Sequence, residues 1–101
     1  MGMTYAEKDR ELSIALSGEV DHHHARGMMV QVDREMDMAL PRRVTLDLGG
    51  VTFMDSSGIA VVLRVYKRTR ELGGVLTVRN TPPHAAKVLL AAGLDKLMQF
   101  E

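Results

Sequence analysis

Leu12, Ile14 and Leu16 alternate with Ser13, Ala15 and Ser17, and a period of two with one apolar face predicts a β-strand. Thr4 to Lys8 reads as a strand beside it, with Asp9-Arg10 as the hairpin turn. After Gly18 the period changes. Asp21 stands where a helix cap belongs, and Ala25, Met29, Val32, Met36 and Leu40 follow at helical spacing, predicting one buried helical face that Pro41 ends. Val44, Leu46 and Leu48 alternate with Thr45 and Asp47, which predicts a strand stopping at Gly49-Gly50 and then a loop carrying Val51 and Phe53. From Ser57 to Leu72 the spacing is helical again. Ile59, Val62, Leu63 and Tyr66 lie on one side, with Val65, Thr69 and Leu72 beside them, and Arg64, Lys67, Arg68 and Glu71 take the wet side. Gly73-Gly74 suits a left-handed C-cap, and Val75 to Val78 reads as the next strand. Thr81 is the expected cap of a last helix begun by Pro82-Pro83, with Ala85, Val88, Leu89 and Ala92 inward and Gly93 as its stop. Leu97 to Phe100 fits a short edge strand.

Strands alternating with helices of this length form βαβ units, whose right-handed crossovers keep successive helices on one side while the strand order advances one way. The expected class is α/β: a singly wound right-handed β-α superhelix, with a mixed, mostly parallel sheet of four to five strands and helices mainly on one face. Ser13, Ser17, Thr45, Asp47 and Thr77 fit a lightly covered second face, because parallel strands buried on both faces would be apolar throughout.

The length of 101 residues and the 46% hydrophobic content suit a single domain spanning 1–101. Thirteen basic residues balance thirteen acidic ones, so no whole-molecule field points to nucleic acid or to an anionic membrane. The absence of cysteine excludes disulfides, thiolate catalysis and Cys-ligated zinc. With no apolar run approaching the ~20 residues of a membrane helix and no signal-peptide pattern, the expectation is a soluble, unprocessed, cytoplasmic protein. Four aromatic residues give no stacking surface for single-stranded nucleic acid.

Three constellations invite chemistry. His22-His23-His24 suggests a metal site, but consecutive helical residues point ~100° apart and cannot converge on one ion; a polar first turn after Asp21 is the simpler reading. The basic residues Arg64, Lys67, Arg68 and Arg70 read as a solvated helix face. The third is Phe53-Met54-Asp55-Ser56-Ser57-Gly58-Ile59. A nucleophile elbow requires G-x-S-x-G, and neither serine has the first glycine or a local base. Ser56 or Asp55 can cap the following helix, and Gly58 permits close approach to the sheet. Capping uses one polar residue of three, which leaves a surplus hydroxyl at the surface.

Gly18-Glu19-Val20-Asp21-His22-His23, Val44 to Leu48, the Phe53 to Ile59 stretch, Tyr66-Lys67, Gly73-Gly74 and Ala92-Gly93-Leu94 together resemble STAS domains of the anti-sigma factor antagonist kind, in their sporulation branch. The resemblance covers nearly the whole chain and implies an interaction protein without catalytic residues, metal or cofactor. It implies that the unphosphorylated form binds an anti-sigma factor that is also a serine kinase, freeing a sigma factor. The kinase would use ATP to phosphorylate Ser56, flanked by Asp55, Ser57 and Gly58, and a metal-dependent serine phosphatase would reverse the step. Asp21, Met54 and Ile59 are the expected partner-docking residues. An alternative within the resemblance is a STAS interaction domain in a general-stress or sensory scaffold complex. Family members commonly continue into a further C-terminal helix, so the last strand is expected as an exposed edge after which the chain stops at Glu101.

Overall fold

The computed structural model describes residues 2–101. Two strands open it, β1 (Gly2–Lys8) and β2 (Glu11–Val20), paired antiparallel through the Asp9-Arg10 turn. Both turn residues have left-handed backbones (φ 53° and 64°), the conformation that matches a two-residue turn to the twist of a hairpin. Then come α1 (His22–Ala39), β3 (Arg43–Met54), α2 (Ser57–Glu71), β4 (Val75–Arg79), α3 (Pro83–Ala91), a single 3-10 turn at Leu94–Lys96, and β5 (Gln99–Phe100). The five strands lie in sequence order, β1-β2-β3-β4-β5, and β2 through β5 are parallel. Each crossover therefore steps one strand onward, the singly wound mixed sheet expected from the alternation.

Inward residues of the strands and helices form one aliphatic core, in which Leu12, Ile14 and Leu16 of β2 meet Val44, Leu46 and Leu48 of β3 and the helix residues Val32, Met36, Val62 and Val65. Ser13 and Ser17 on the opposite face are exposed, while Thr45, Asp47 and Thr77 are partly covered by their neighbours. Burying a leucine-sized side chain contributes about 1.5–3 kcal/mol, so the alternation of β2 and β3 fixes their register firmly.

Four local expectations need correction. β3 does not stop at Gly49-Gly50 but runs to Met54, so Val51 and Phe53 lie on a strand. Inward positions there shift from Leu48 to Val51 to Met54, where β3 carries extra residues opposite Ala15–Ser17 and Gly18–Glu19 of β2, and such bulges break the period of two. On α1 the core residue is Met28 rather than Met29, and Leu40 is an exposed left-handed C-cap whose N–H donates to Met36 O. Arg10 covers the Leu40 carbonyl, donating from Nε at 3.2 Å and from a terminal nitrogen at 3.1 Å. Thr81 does not cap α3: Pro82 occupies that position, and the Thr81 hydroxyl is buried without a hydrogen-bond partner. Ala92 is exposed, leaving Ala85 and Leu89 as the buried residues of α3.

The C-terminus of α2 forms as its glycines suggest. Gly73 is left-handed (φ 72°), its N–H donates to Arg70 O, and the Gly74 N–H reaches back to Thr69 O at 2.9 Å. This double bond pattern satisfies carbonyls the helix would otherwise leave open.

Candidate functional site

β2 and β3 are adjacent and parallel, and their last residues, Val20 and Met54, are register partners. Because each strand leads directly into a helix, the starts of α1 and α2 lie side by side at the C-terminal edge of the sheet. That edge gathers Asp21, the three histidines and the Asp55-Ser56-Ser57-Gly58 stretch.

Asp55 joins the two helix starts. Its backbone N–H donates to Val20 O at 3.3 Å, tying the end of β3 to the end of β2. Its Oδ1 accepts the Ser57 N–H at 2.8 Å, and its Oδ2 accepts the His22 N–H at 3.2 Å. One carboxylate thus satisfies an open donor at each helix, where helix N-termini also favour negative charge. Asp55, not Ser56, does the capping. Ser56 stands at the N-cap position with a helical backbone (φ −61°, ψ −17°), and its hydroxyl makes no capping bond. Ser56 is exposed and Ser57 partly covered.

Gly58 is buried against Met54. A Cβ on Gly58 would lie 2.4 Å from Met54 Cγ and 2.6 Å from Sδ, so the close approach of α2 to β3 requires a residue without a side chain. Met54 is only 5% exposed, which corrects its expected place on a docking surface: it holds Gly58 from below. Ile59 is partly buried against the core and keeps part of its surface open.

Asp21 caps α1, its Oδ1 accepting the His24 N–H at 3.1 Å and lying 2.7 Å from His24 Nδ1. Burial alone would raise the carboxyl, but the hydrogen bonds from the His24 ring and backbone, with the positive field of His24 and His23, hold it below its ordinary value of 3.8. His24 is turned to Asp21, and the rings of His23 and His24 meet edge-on at 6.2 Å. Among the described residues no group of three or more His, Cys, Asp or Glu side chains is placed to hold a metal ion.

Behind the site the helices are clamped by charge. Arg68 of α2 donates to Asp33 at 3.1 Å and to Asp37, both on α1, and its Nε lies 3.1 Å from Glu71. Arg64 adds a bond to Asp33 at 3.4 Å. Arg64 and Arg68, half of the basic face read as solvated, are in fact committed to this clamp, while Lys67 and Arg70 are not. Sequence reasoning missed the His22 N–H as a partner of Asp55, because a bond spanning 33 positions has no local signature.

Comparison with known proteins agrees with this geometry. The family model described as Mlab, STAS domain matches residues 3–99. An anti-sigma F factor antagonist of Paenibacillus polymyxa is 36% identical over 87 residues, covering 86% of this chain and 74% of the relative. The structure of the anti-sigma factor antagonist SpoIIAA in its unphosphorylated form superposes with a TM-score of 0.83 at 24% identity, over 99% of this chain and 88% of that one. The phosphorylated form of the Bacillus cell fate determinant SpoIIAA gives 0.76 at 23% identity, over 99% and 91%. These two likenesses establish the shared fold. No helix among the described residues is long and apolar enough to cross a membrane. With the family model spanning almost the entire chain and the Paenibacillus relative aligned along most of it, the protein belongs to the STAS domain family of anti-sigma factor antagonists.

Proposed function

We propose that the chain is an anti-sigma factor antagonist switched by phosphorylation of Ser56. In this reading the unphosphorylated protein binds an anti-sigma factor serine kinase in the cytoplasm and so releases the sigma factor that kinase had held. The kinase transfers a phosphoryl group from ATP to the Ser56 hydroxyl, and a metal-dependent serine phosphatase removes it. The protein is a substrate and a binding partner, not a catalyst. Asp21 and the open part of Ile59 belong to the docking surface, and Asp55, Ser57 and Gly58 shape the acceptor.

The observation that carries the reading is the division of labour between Asp55 and Ser56. Asp55 supplies the cap at both helix starts, and the exposed Ser56 hydroxyl makes no capping bond. A kinase can take that hydroxyl without dismantling the helix. The phosphate would add about −1.5 to −2 charge at the start of α2. In the free protein, water and the helix N-terminus accommodate it. Within a packed interface it would lose water beside the Asp55 carboxylate, and desolvating a charge next to a like charge is costly. A differential of ~3 kcal/mol shifts the partition more than a hundredfold.

The test is incubation with the cognate kinase and ATP, followed by mapping of the modified residue. One phosphate on Ser56 is expected; a phosphate on Ser57, or none with an active kinase, would refute the proposal.

A further inference from the structure

The solvent side of the helix pair carries a groove that the phosphoacceptor does not use. It begins beside His22 and Ser57, at the paired helix starts, and follows the seam between α1 and α2 to Lys67. Two concavities of about 490 and 390 Å³ make it up, and they share Met29, Ala60 and Arg64, so the channel is continuous. Ala25, Met29, Ala60 and Leu63 give it an apolar floor. Val30, 58% exposed, stands in its wall.

Its cations fall into two sets. Arg64 and Arg68 are bound to Asp33, and Arg68 also to Asp37 and Glu71. Arg26 and Lys67 line the groove, are exposed, and have no carboxylate partner among the described residues. On a chain with net charge zero, two unneutralised cations beside an apolar floor form a local site for negative charge with an apolar anchor. A polyphosphate backbone fits it poorly, since it has no apolar group to set against Met29, Val30, Ala60 and Leu63 between the cations. A peptide offers both carboxylates and apolar side chains.

We infer that the α1–α2 groove docks an acidic, apolar-anchored segment of the protein partner, with carboxylates on Arg26 and Lys67 and an aliphatic or aromatic side chain against Met29, Val30 and Ala60. The inference rests on the switch at Ser56 and names the chemistry of what that switch governs. Because Ser57 lines the mouth of the groove, a phosphate on the adjacent Ser56 places negative charge where the acidic segment enters. Repulsion there weakens binding without any change of fold.

The test measures binding of the cognate anti-sigma factor kinase to four full-length proteins: wild type, the R26E/K67E double variant, V30E and S56D. Melting temperatures verify folding, and the substituted groove residues are exposed. The double variant is expected to bind about tenfold more weakly or worse, mainly through a slower association that has lost much of its salt dependence. V30E is expected to weaken binding to a similar degree, because it replaces an apolar wall residue that packs on the anchor with a charged one. Wild-type affinity in the double variant, or a gain, overturns the acidic segment; wild-type affinity in V30E overturns the apolar anchor. If S56D is weak while the groove variants bind normally, the switch stands and the groove falls. If S56D binds like wild type, the switch falls, and the R26E/K67E result still decides the groove.

Discussion

The Asp55 carboxylate accepts the first backbone N–H of α1, at His22, across 3.2 Å, while its other oxygen accepts the Ser57 N–H of α2. The residue next to Ser56 is therefore a tie between two helices. Removing a single capping carboxylate costs about 0.5–2 kcal/mol, and here two donors lose their partner. Asp55→Ala is expected to lower the unfolding free energy by about 1–3 kcal/mol in urea titrations. Asp55→Asn keeps one carbonyl oxygen for Ser57 but sets an amide donor against the His22 N–H, so an intermediate loss is expected. Equal stability of Asp55→Asn and wild type would show that the bond to α1 contributes nothing.

Charge at Ser56 should separate binding from folding. Ser56→Ala removes a hydroxyl that caps nothing, so it should bind the anti-sigma partner as wild type does and melt at nearly the same temperature. Ser56→Asp should keep its fold and bind at least about tenfold more weakly. Calorimetric titration of both variants checks this, and equal affinities would remove charge as the basis of the switch.

Gly58→Ala tests the packing beneath the site. The added methyl would fall 2.4 Å from Met54 Cγ, and Met54 is itself enclosed, so overpacking of about 1–3 kcal/mol is expected. Combining it with Met54→Ala should recover part of the loss, because the cavity left by one change receives the methyl of the other. Simple addition of the two losses in denaturant melts would place the strain elsewhere.

Stability on the acid side should depend on Asp21. Its carboxyl is held below 3.8 in the folded protein, so the folded state favours the charged form. The contribution is complete above the ordinary carboxyl value and is lost as pH falls through the lowered one. Asp21→Asn should therefore lose stability at neutral pH and show a shallower decline on acidification than wild type. Melting temperatures recorded from pH 6 down to about pH 2 read both effects.

The order of elements and the winding of the sheet were legible because aliphatic alternation in β2 and β3 and the helical spacing of α2 leave little choice of face. Met28 and Met29 show where such reading stops: both are methionines near the inward stripe, and only the packed structure shows Met28 enclosed and Met29 partly covered at its edge. Gly49-Gly50 looked like a stop because glycine usually punctuates a strand, whereas pairing with Ser17 and Gly18 carries β3 onward through the bulge. At the site, the sequence showed one polar residue too many for a cap, and the family resemblance, not the pattern, singled out Ser56. The pattern left open whether Asp55 or Ser56 did the capping, since that depends on the position of His22 across the sheet edge. Met54 was assigned outward from its place in the motif, and the bulged strand turns it inward.

The strand order also has a temporal meaning. Each strand pairs with the one made just before it, so during synthesis no segment has to wait for a distant partner to emerge, a topology that favours rapid, progressive assembly. Every bond that frames Ser56 joins residues between Val20 and Ile59. The corner around Ser56 can close while the last strands are still being made, so that Ser56 is in place before β4 and β5 are added.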